Sequence, residues 1–364
     1  MSLEIHEECG GGSSRSDTQN LTPTLGSGIQ ARHWHNGTDL HLAAREGDGE
    51  ALRRALDEAA TDPTRKGGES AAAAAEAGET PLIAAAEKGH LEVVVELLRH
   101  LDAQGLAAKN RAGYDALHVA ARQGHHAVVQ EMLVHNRMLA ITYGPANTTP
   151  LISAAMWGHA EVVKLLLELD HSGLVKMAKD NGKTAIHFAA RQGHTEIVKA
   201  LLEKDPLLAR RTDKKGQTAL HMAAKGTNCD VLRAIVDVDP AVCMLPDRDG
   251  RTVLHIATKE RRVEIVIGLL QLPDVNVNAL TREHITAYDI AEGMPLSERS
   301  TEIKIILSQH GAVGFMELDK PRVQKTAVAI AHTQLEQMST TDKDNNRCLN
   351  LGVICWSCPK TIES

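Results

Sequence analysis

The sequence predicts an all-α solenoid of about eight helix–turn–helix repeats with disordered termini. Three observations carry that reading. The stretch Lys183–Leu202, KTAIHFAARQGHTEIVKALL, is copied again and again along the chain. Its capping position recurs at Thr38, Thr80, Asp115, Thr149, Thr184, Thr218, Thr252 and Thr286, in steps of 42, 35, 34, 35, 34, 34 and 34 residues. Aromatic residues make up only 2% of the 364 residues. That is too few for a large globular core, but thin two-helix layers can be filled with Ala, Leu, Val and Ile.

Each unit has the same local logic. Thr184 offers its hydroxyl to a free backbone N–H at a helix start. Ile186, Ala189 and Ala190 then share one helical face. Gly193 ends the helix, because glycine accepts the left-handed conformation of a C-cap. Ile197, Val198, Leu201 and Leu202 line one face of a second helix. A unit this small cannot bury both helices alone, so it needs a copy on either side. Two residues after the cap comes Leu40, Leu82, Leu117, Leu151, Ile186, Leu220 or Leu254, and an Ala-Ala pair recurs in six units, which lets neighbouring helices approach closely.

In chain order, Met1–His35 is rich in Gly, Ser and Thr without an apolar period and reads as disordered. Trp34 is placed to fold over the open end of the array. The array runs over 36–312, with the second helix of repeat one at about Gly49–Ala60. An insertion at about 61–79 explains the long first step and reads as a surface loop, with Ala71–Ala75 able to add a helical turn. Repeats two to five carry Gly-His at the helix junction: Gly89-His90, Gly124-His125, Gly158-His159 and Gly193-His194. Repeat six shifts this to Gly226-Thr227-Asn228, and repeat seven loses it, showing Arg261-Arg262. Repeat eight replaces the turn histidine by Asp289, has a widened junction EGMPLSERS, and is expected to place its second helix at Glu302–Ser308. The non-repeat tail, 313–364, has weak helical character at Val323–Met338 and is otherwise polar and disordered. Its apolar piece LNLGVICWSC is about half the roughly 20 residues of a membrane helix.

The period near 33 and the T-P-L-H-x-A turn, with proline kept in Thr80-Pro81-Leu82 and Thr149-Pro150-Leu151, resemble the ankyrin repeat. From Lys179 to about Ala312 the chain is similar to plant ankyrin-repeat proteins that end in a PGG membrane domain, of the salt-tolerance-associated type. The segments that carry this are KDNGKTAIHFAARQGHTEIVKALLEKDP, RRTDKKGQTALHMAAKGTNCDVLRAIVD, NALTREHITAYDIAEGMPL and EIKIILSQHGA. The resemblance implies a place at the plasma membrane and a role in salt, abscisic-acid and oxidative-stress signalling. In that family a HTQLEQ-like helix leads into membrane spans. Here His332–Gln337 is present and the likeness then stops, so the expectation is a chain lacking the spans.

No signal peptide, myristoylation glycine or prenylation box is seen, which places the six cysteines in a reducing, intracellular setting and leaves the sequons at Asn36 and Asn147 unused. The net charge of −7 argues against a nucleic-acid partner. Nine of the nineteen histidines occupy repeat positions. Copies in successive layers are about 10 Å apart, whereas ligands of one zinc ion sit about 2 Å from it. They read as structural, and no metal is expected. Cys355-Trp356-Ser357-Cys358 lacks a second ligand pair at suitable spacing. Cys229 and Cys243 read as packing residues, and Glu161 with Lys164 as a solvated pair. No phosphate loop, nucleophile elbow or H-E-x-x-H helix is present, so neither catalysis nor a cofactor is expected.

One surface signal stands out. By register, the face made by the turn tips and the exposed ends of the first helices collects Arg122, Arg191, Lys225 and Lys259, then Lys183, Lys214, Lys215, Arg248 and Arg251 from the tips of repeats five to seven. Tyr114, Met156 and Trp157 add an apolar patch from repeats three and four. Cations and aromatics beside apolar surface make a partner-binding strip. The expected partner is another protein, met through an acidic or phosphorylated segment. The alternatives are anionic lipid, touched peripherally, and competition with full-length ankyrin relatives for their partner.

Overall fold

The computed structural model describes residues 39–61, 79–169 and 173–318. All regular structure among the described residues is helical. Eight helix pairs follow one another: α1 (Asp39–Glu46) and α2 (Gly49–Thr61), α3 (Pro81–Lys88) and α4 (Leu91–His100), α5 (Ala116–Gln123) and α6 (His126–His135), α7 (Pro150–Trp157) and α8 (Ala160–Glu168), α9 (Ala185–Gln192) and α10 (Thr195–Lys204), α11 (Ala219–Ala223) and α12 (Cys229–Val236), α13 (Val253–Lys259) and α14 (Val263–Leu270), α15 (Ala287–Gly293) and α16 (Glu298–Gln309). The solenoid expected from the spacing is therefore present. Thr38, Trp34, the N-terminal segment, the bulk of the insertion, the Val323–Met338 stretch and the three tail cysteines lie outside the described residues.

The seam is continuous. Leu82, Leu117, Leu151, Ile186, Leu220 and Leu254 are all buried in a single apolar cluster that runs through every repeat. From repeat one to repeat six the alanine pairs let the first helices pack more closely on one another than the second helices do; at the joint to repeat seven, where Thr258 replaces the second alanine, they do not.

The caps explain why each helix starts where it does. The side chains of Thr80, Asp115 and Thr149 accept the N–H of Ile83, His118 and Ile152. In repeats five to seven the turn histidine completes the cap. His187 Nδ1 accepts the Thr184 N–H at 3.2 Å, while its Nε2–H donates to the Gln217 carbonyl of the next repeat at 3.1 Å. His221 and His255 repeat the arrangement, reaching the carbonyls of Arg251 and Ile285. The same ring thus closes its own helix start and fastens the next layer. Asp289 takes over the cap in repeat eight by accepting the Thr286 N–H.

At the other end of the first helices, Gly89, Gly124 and Gly158 hold φ between 78 and 85°. A Cβ on Gly124 would stand 2.3 Å from the His159 ring of the next repeat. Left-handed backbone and close approach both require glycine there. The junction side chains reach back to the preceding repeat: His90 to the Arg45 carbonyl, His125 to that of Glu87, His159 to that of Arg122. The pattern that repeat seven loses in sequence survives in chemistry. Asn228 donates to the Gly193 carbonyl at 2.9 Å, and Arg262 to that of Lys225 at 3.2 Å. A donor of sufficient reach is what the joint needs, and three residue types supply it.

The expected bounds of the last helix need correction. It spans Glu298–Gln309, beginning four residues before Glu302, because Ser297 accepts the Ser300 N–H and starts the helix inside the widened junction. Beyond it, Val313 and Phe315 donate their N–H groups to Asn278 and Asp289 and close the end of the array. Cys243 is buried and Cys229 half-buried, both as free thiols in packed positions. Burial pushes the Cys243 thiol up to about 12. Glu161 and Lys164 form an exposed pair at 2.8 Å.

Candidate binding surface

The turn tips form a row of tight loops, each linked to the one before it. Lys214 N–H donates to the Asn181 carbonyl, Arg248 N–H to that of Lys215, and Arg282 N–H to that of Asp249, each at 3.0 Å. Gly216, at φ +73, lies where a Cβ would come 2.9 Å from the Arg248 nitrogen. The tips are therefore held by backbone, and their side chains project from a fixed base.

Two buried aspartates set the shape of these tips. Asp213 Oδ1 accepts the N–H groups of Lys215 and Gln217, and Asp247 Oδ1 those of Asp249 and Arg251. Asp247 Oδ2 also accepts the Gln217 side-chain N–H, and the Gln217 Oε1 accepts a hydrogen bond from the Lys225 ammonium at 2.5 Å. The register reading missed these acidic and amide partners. Their signal was present: the position five before the cap is Asn110, Asp213, Asp247 and Thr281 in four repeats, each accepting the N–H of the residue just before the cap.

Six of the predicted cations converge. Lys214, Lys215, Lys225, Arg248, Arg251 and Lys259 line a cleft of about 390 Å³ between the tips and first helices of repeats six and seven. Its other charged walls are Asp247, Asp249 and Glu260. Arg251 pairs with Asp249 at 2.7 Å, whereas Lys214, Lys215, Arg248 and Lys259 are exposed. Lys225 is half-buried on the cleft wall, and its ammonium is shifted below the ordinary lysine value, first by burial and then by Lys183 and Arg191. Those two residues continue the strip into repeat five. Lys183 stands 4.0 Å from the Asp213 carboxylate, and Arg191 is exposed.

The apolar patch is smaller than the sequence reading has it. Trp157 is 54% exposed, with the Arg122 guanidinium 5.0 Å from its ring centroid. Met156 and Tyr114 instead pack against the core, and the Tyr114 ring lies 5.8 Å from that of His118. Repeat two reverses the sign. Glu79 and Glu87 hold the positions that Lys183 and Arg191 hold in repeat five, and the Glu79 carboxyl is pushed up by burial and then by Glu87.

Known proteins place this architecture. The ankyrin-repeat profile matches residues 40–143, 133–208 and 206–280. The chain belongs to the ankyrin-repeat family. It is 68% identical over 357 residues to the ankyrin repeat-containing protein NPR4 of rice, over 93% of this chain and 61% of that protein. It is 50% identical over 78 residues to the ankyrin repeat-containing protein ITN1 of Arabidopsis thaliana, over 20% of this chain and 13% of that protein. The chain thus spans about three fifths of the rice relative's length. The human ASB11 ankyrin repeat domain superposes with a TM-score of 0.53 at 22% identity, over 62% of this chain and 97% of that domain. That last likeness concerns the fold alone. Ankyrin arrays are protein-interaction scaffolds, typically without catalysis, and this one shares their build. No helix among the described residues is long and apolar enough to cross a membrane.

Proposed function

We propose that this ankyrin array is a non-catalytic scaffold in plant abiotic-stress signalling, of the salt and abscisic-acid kind, that binds an acidic or phosphorylated segment of another protein on its concave face. One observation carries the binding half: six cations converge on one cleft in a chain whose net charge is −7. The fixed turn tips favour binding, since little ordering cost is left to the encounter. The signalling half is supported by the long runs between Lys179 and Ala312 that are similar to plant relatives of the salt-tolerance-associated type. The site of action that follows is the cytoplasmic face of the plasma membrane.

Charge-steered association weakens as salt rises. Fluorescence anisotropy with a Glu-rich peptide at low and high salt tests this. The expected result is a steep loss of affinity with salt, and a further loss of about tenfold or more when Arg191, Lys225 and Lys259 are reversed to Glu. Salt-independent binding would sink the reading. The same cations support a second reading, peripheral contact with anionic membrane. Flotation of the purified chain with phosphatidylserine vesicles separates it from the first.

A further inference from the structure

We infer that the strip reads one extended phosphorylated segment of a partner protein. The phosphate sits in the cleft between repeats six and seven, and an apolar side chain of the same segment sits on Trp157, about six to nine residues away. This rests on the proposed function and narrows its ligand.

The charge balance of the cleft selects the ligand. Six cations face three carboxylates, and one of the three, Asp249, is held by Arg251. A second, Asp247, is occupied by two backbone N–H groups and the Gln217 amide. No carboxylate lies within ion-pair reach of Lys214, Lys215, Arg248 or Lys259 among the described residues. A single glutamate supplies one charge to this surplus, whereas a phosphoserine supplies about 1.5 to 2 and three acceptor oxygens. The Lys225 ammonium gives one proton to Gln217 and keeps two for a ligand. It is crowded by Lys183 and Arg191, and Glu260, the third carboxylate of the cleft, offsets this only in part together with Asp213, so a dianion beside it relieves an existing repulsion.

The occupant is a segment and not a bilayer for two reasons. The cations line the walls of a concave cleft, and a planar surface does not reach a half-buried Lys225. The strip is also chemically graded. Moving towards the N-terminus, cations give way to Trp157 with Arg122 beside it, and then to Glu79 and Glu87. A uniformly anionic surface meets no continuous row of cations at that end, where Arg45 and Lys88 stand beside Glu79 and Glu87, while one chain of mixed composition fits each part. Trp157 belongs to repeat four and the cleft to repeats six and seven. Two to three layer spacings of about 10 Å separate them, which an extended chain covers at about 3.3 Å per residue.

The test uses the full chain and synthetic peptides with a Gly-Ser backbone, each carrying phosphoserine and one phenylalanine, in both orders and at short, intermediate and long separations. The phosphopeptide is expected to bind about tenfold or more tightly than its serine counterpart, and one order at the intermediate separation more tightly than the rest. Trp157→Ala should remove the dependence on separation and keep that on phosphate. Lys259→Glu and Lys225→Met should remove the dependence on phosphate and, with one anchor gone, that on separation as well, leaving only the contribution of phenylalanine, with unchanged thermal melting of Lys259→Glu as the folding control. Equal affinity of phosphorylated and unphosphorylated peptides overturns the inference. So does preference for phosphoinositide vesicles over every peptide. A Glu-rich peptide that still binds in a salt-dependent way would then leave the proposed function standing. Failure of every anionic peptide would remove both.

Discussion

Repeat two and repeat five share a skeleton and carry opposite charge at the two outward positions of the strip. Both bury a leucine or isoleucine on the seam, at Leu82 and Ile186, and both end the first helix on a left-handed glycine. At the two strip positions one repeat presents Glu79 and Glu87, the other Lys183 and Arg191. The stack constrains the buried faces and leaves the strip free to vary. Partner choice is therefore written where folding places no demand. Predictions that separate the two layers of information follow from this, beginning with the change that should hurt both halves alike.

Leu151→Ala and Leu220→Ala each remove a fully buried side chain from the seam, one in the apolar half of the strip and one in the basic half. Each is expected to cost about 2–5 kcal/mol in urea unfolding. The costs should match, because the seam does not distinguish the halves. A cost at one site well below this range would mean that the repeats are not energetically equivalent.

Acid should divide the halves. In repeats five and six the buried rings of His187 and His221 are pushed down from the ordinary 6.5 to about 4, first by burial, with Asp213 or Asp247 opposing it. Their Nδ1 atoms already accept backbone N–H groups, so a proton there also breaks the cap. Between pH 6.5 and 4 the unfolded chain binds protons that the folded chain refuses, so stability falls as pH drops through that window. Each ring contributes on the order of 1–3 kcal/mol. Repeats two and four carry Ile83 and Ile152 at this position. Repeat three carries His118 there, paired with its cap Asp115: burial pushes the Asp115 carboxyl up, but His118 outweighs this and holds it below 3.8. Its charge is kept until pH falls below that value. Hydrogen exchange near pH 4.5 should therefore show residues 184–255 opening before residues 80–160. Uniform opening would remove the division.

The backbone of this architecture was legible because every repeat pays the same steric tax at the same register. Thr184, Ile186, Gly193 and Leu201 have fixed roles, so their recurrence announces the fold. The roles of Asn228 and Arg262 were not legible, since a hydrogen bond to the preceding carbonyl requires a donor of some reach and not a particular residue. The convergence of cations was readable from register alone, but the depth of Lys225 and the burial of Tyr114 were not. Both depend on neighbours outside the helical turn that carries them: Gln217 and Asp247 for the one, Gly144 for the other.

Asn228→Ala tests how much a single joint contributes. It removes the bonds to the Gly193 carbonyl and the Thr195 hydroxyl together with the cap on the Asp230 N–H, and should cost about 1–2 kcal/mol in chemical denaturation, of which Asn228→Asp, keeping the cap alone, gives the cap's share. No loss would mean that packing alone holds repeat six against repeat five.

The smallest effect is the most specific to the comparison. Glu87→Lys gives repeat two the charge that repeat five carries at the same register. Glu79 is now pushed up by burial and then by Glu87, and a raised carboxyl pKa in the folded state means stability lost as pH rises through it. Removing Glu87 should return its own, smaller share of that loss at neutral pH and nothing in acid, where Glu79 is protonated with or without its neighbour. Glu87 is exposed and Glu79 half-buried, so solvent screens the pair and the gain should stay below about 0.5 kcal/mol. Thermal melting at neutral and acid pH measures it. A gain at neutral pH alone shows that the strip's charges are adjustable without touching the seam. An equal gain in acid would place the effect in helix propensity or packing, and the two layers of information would no longer be separable at this position.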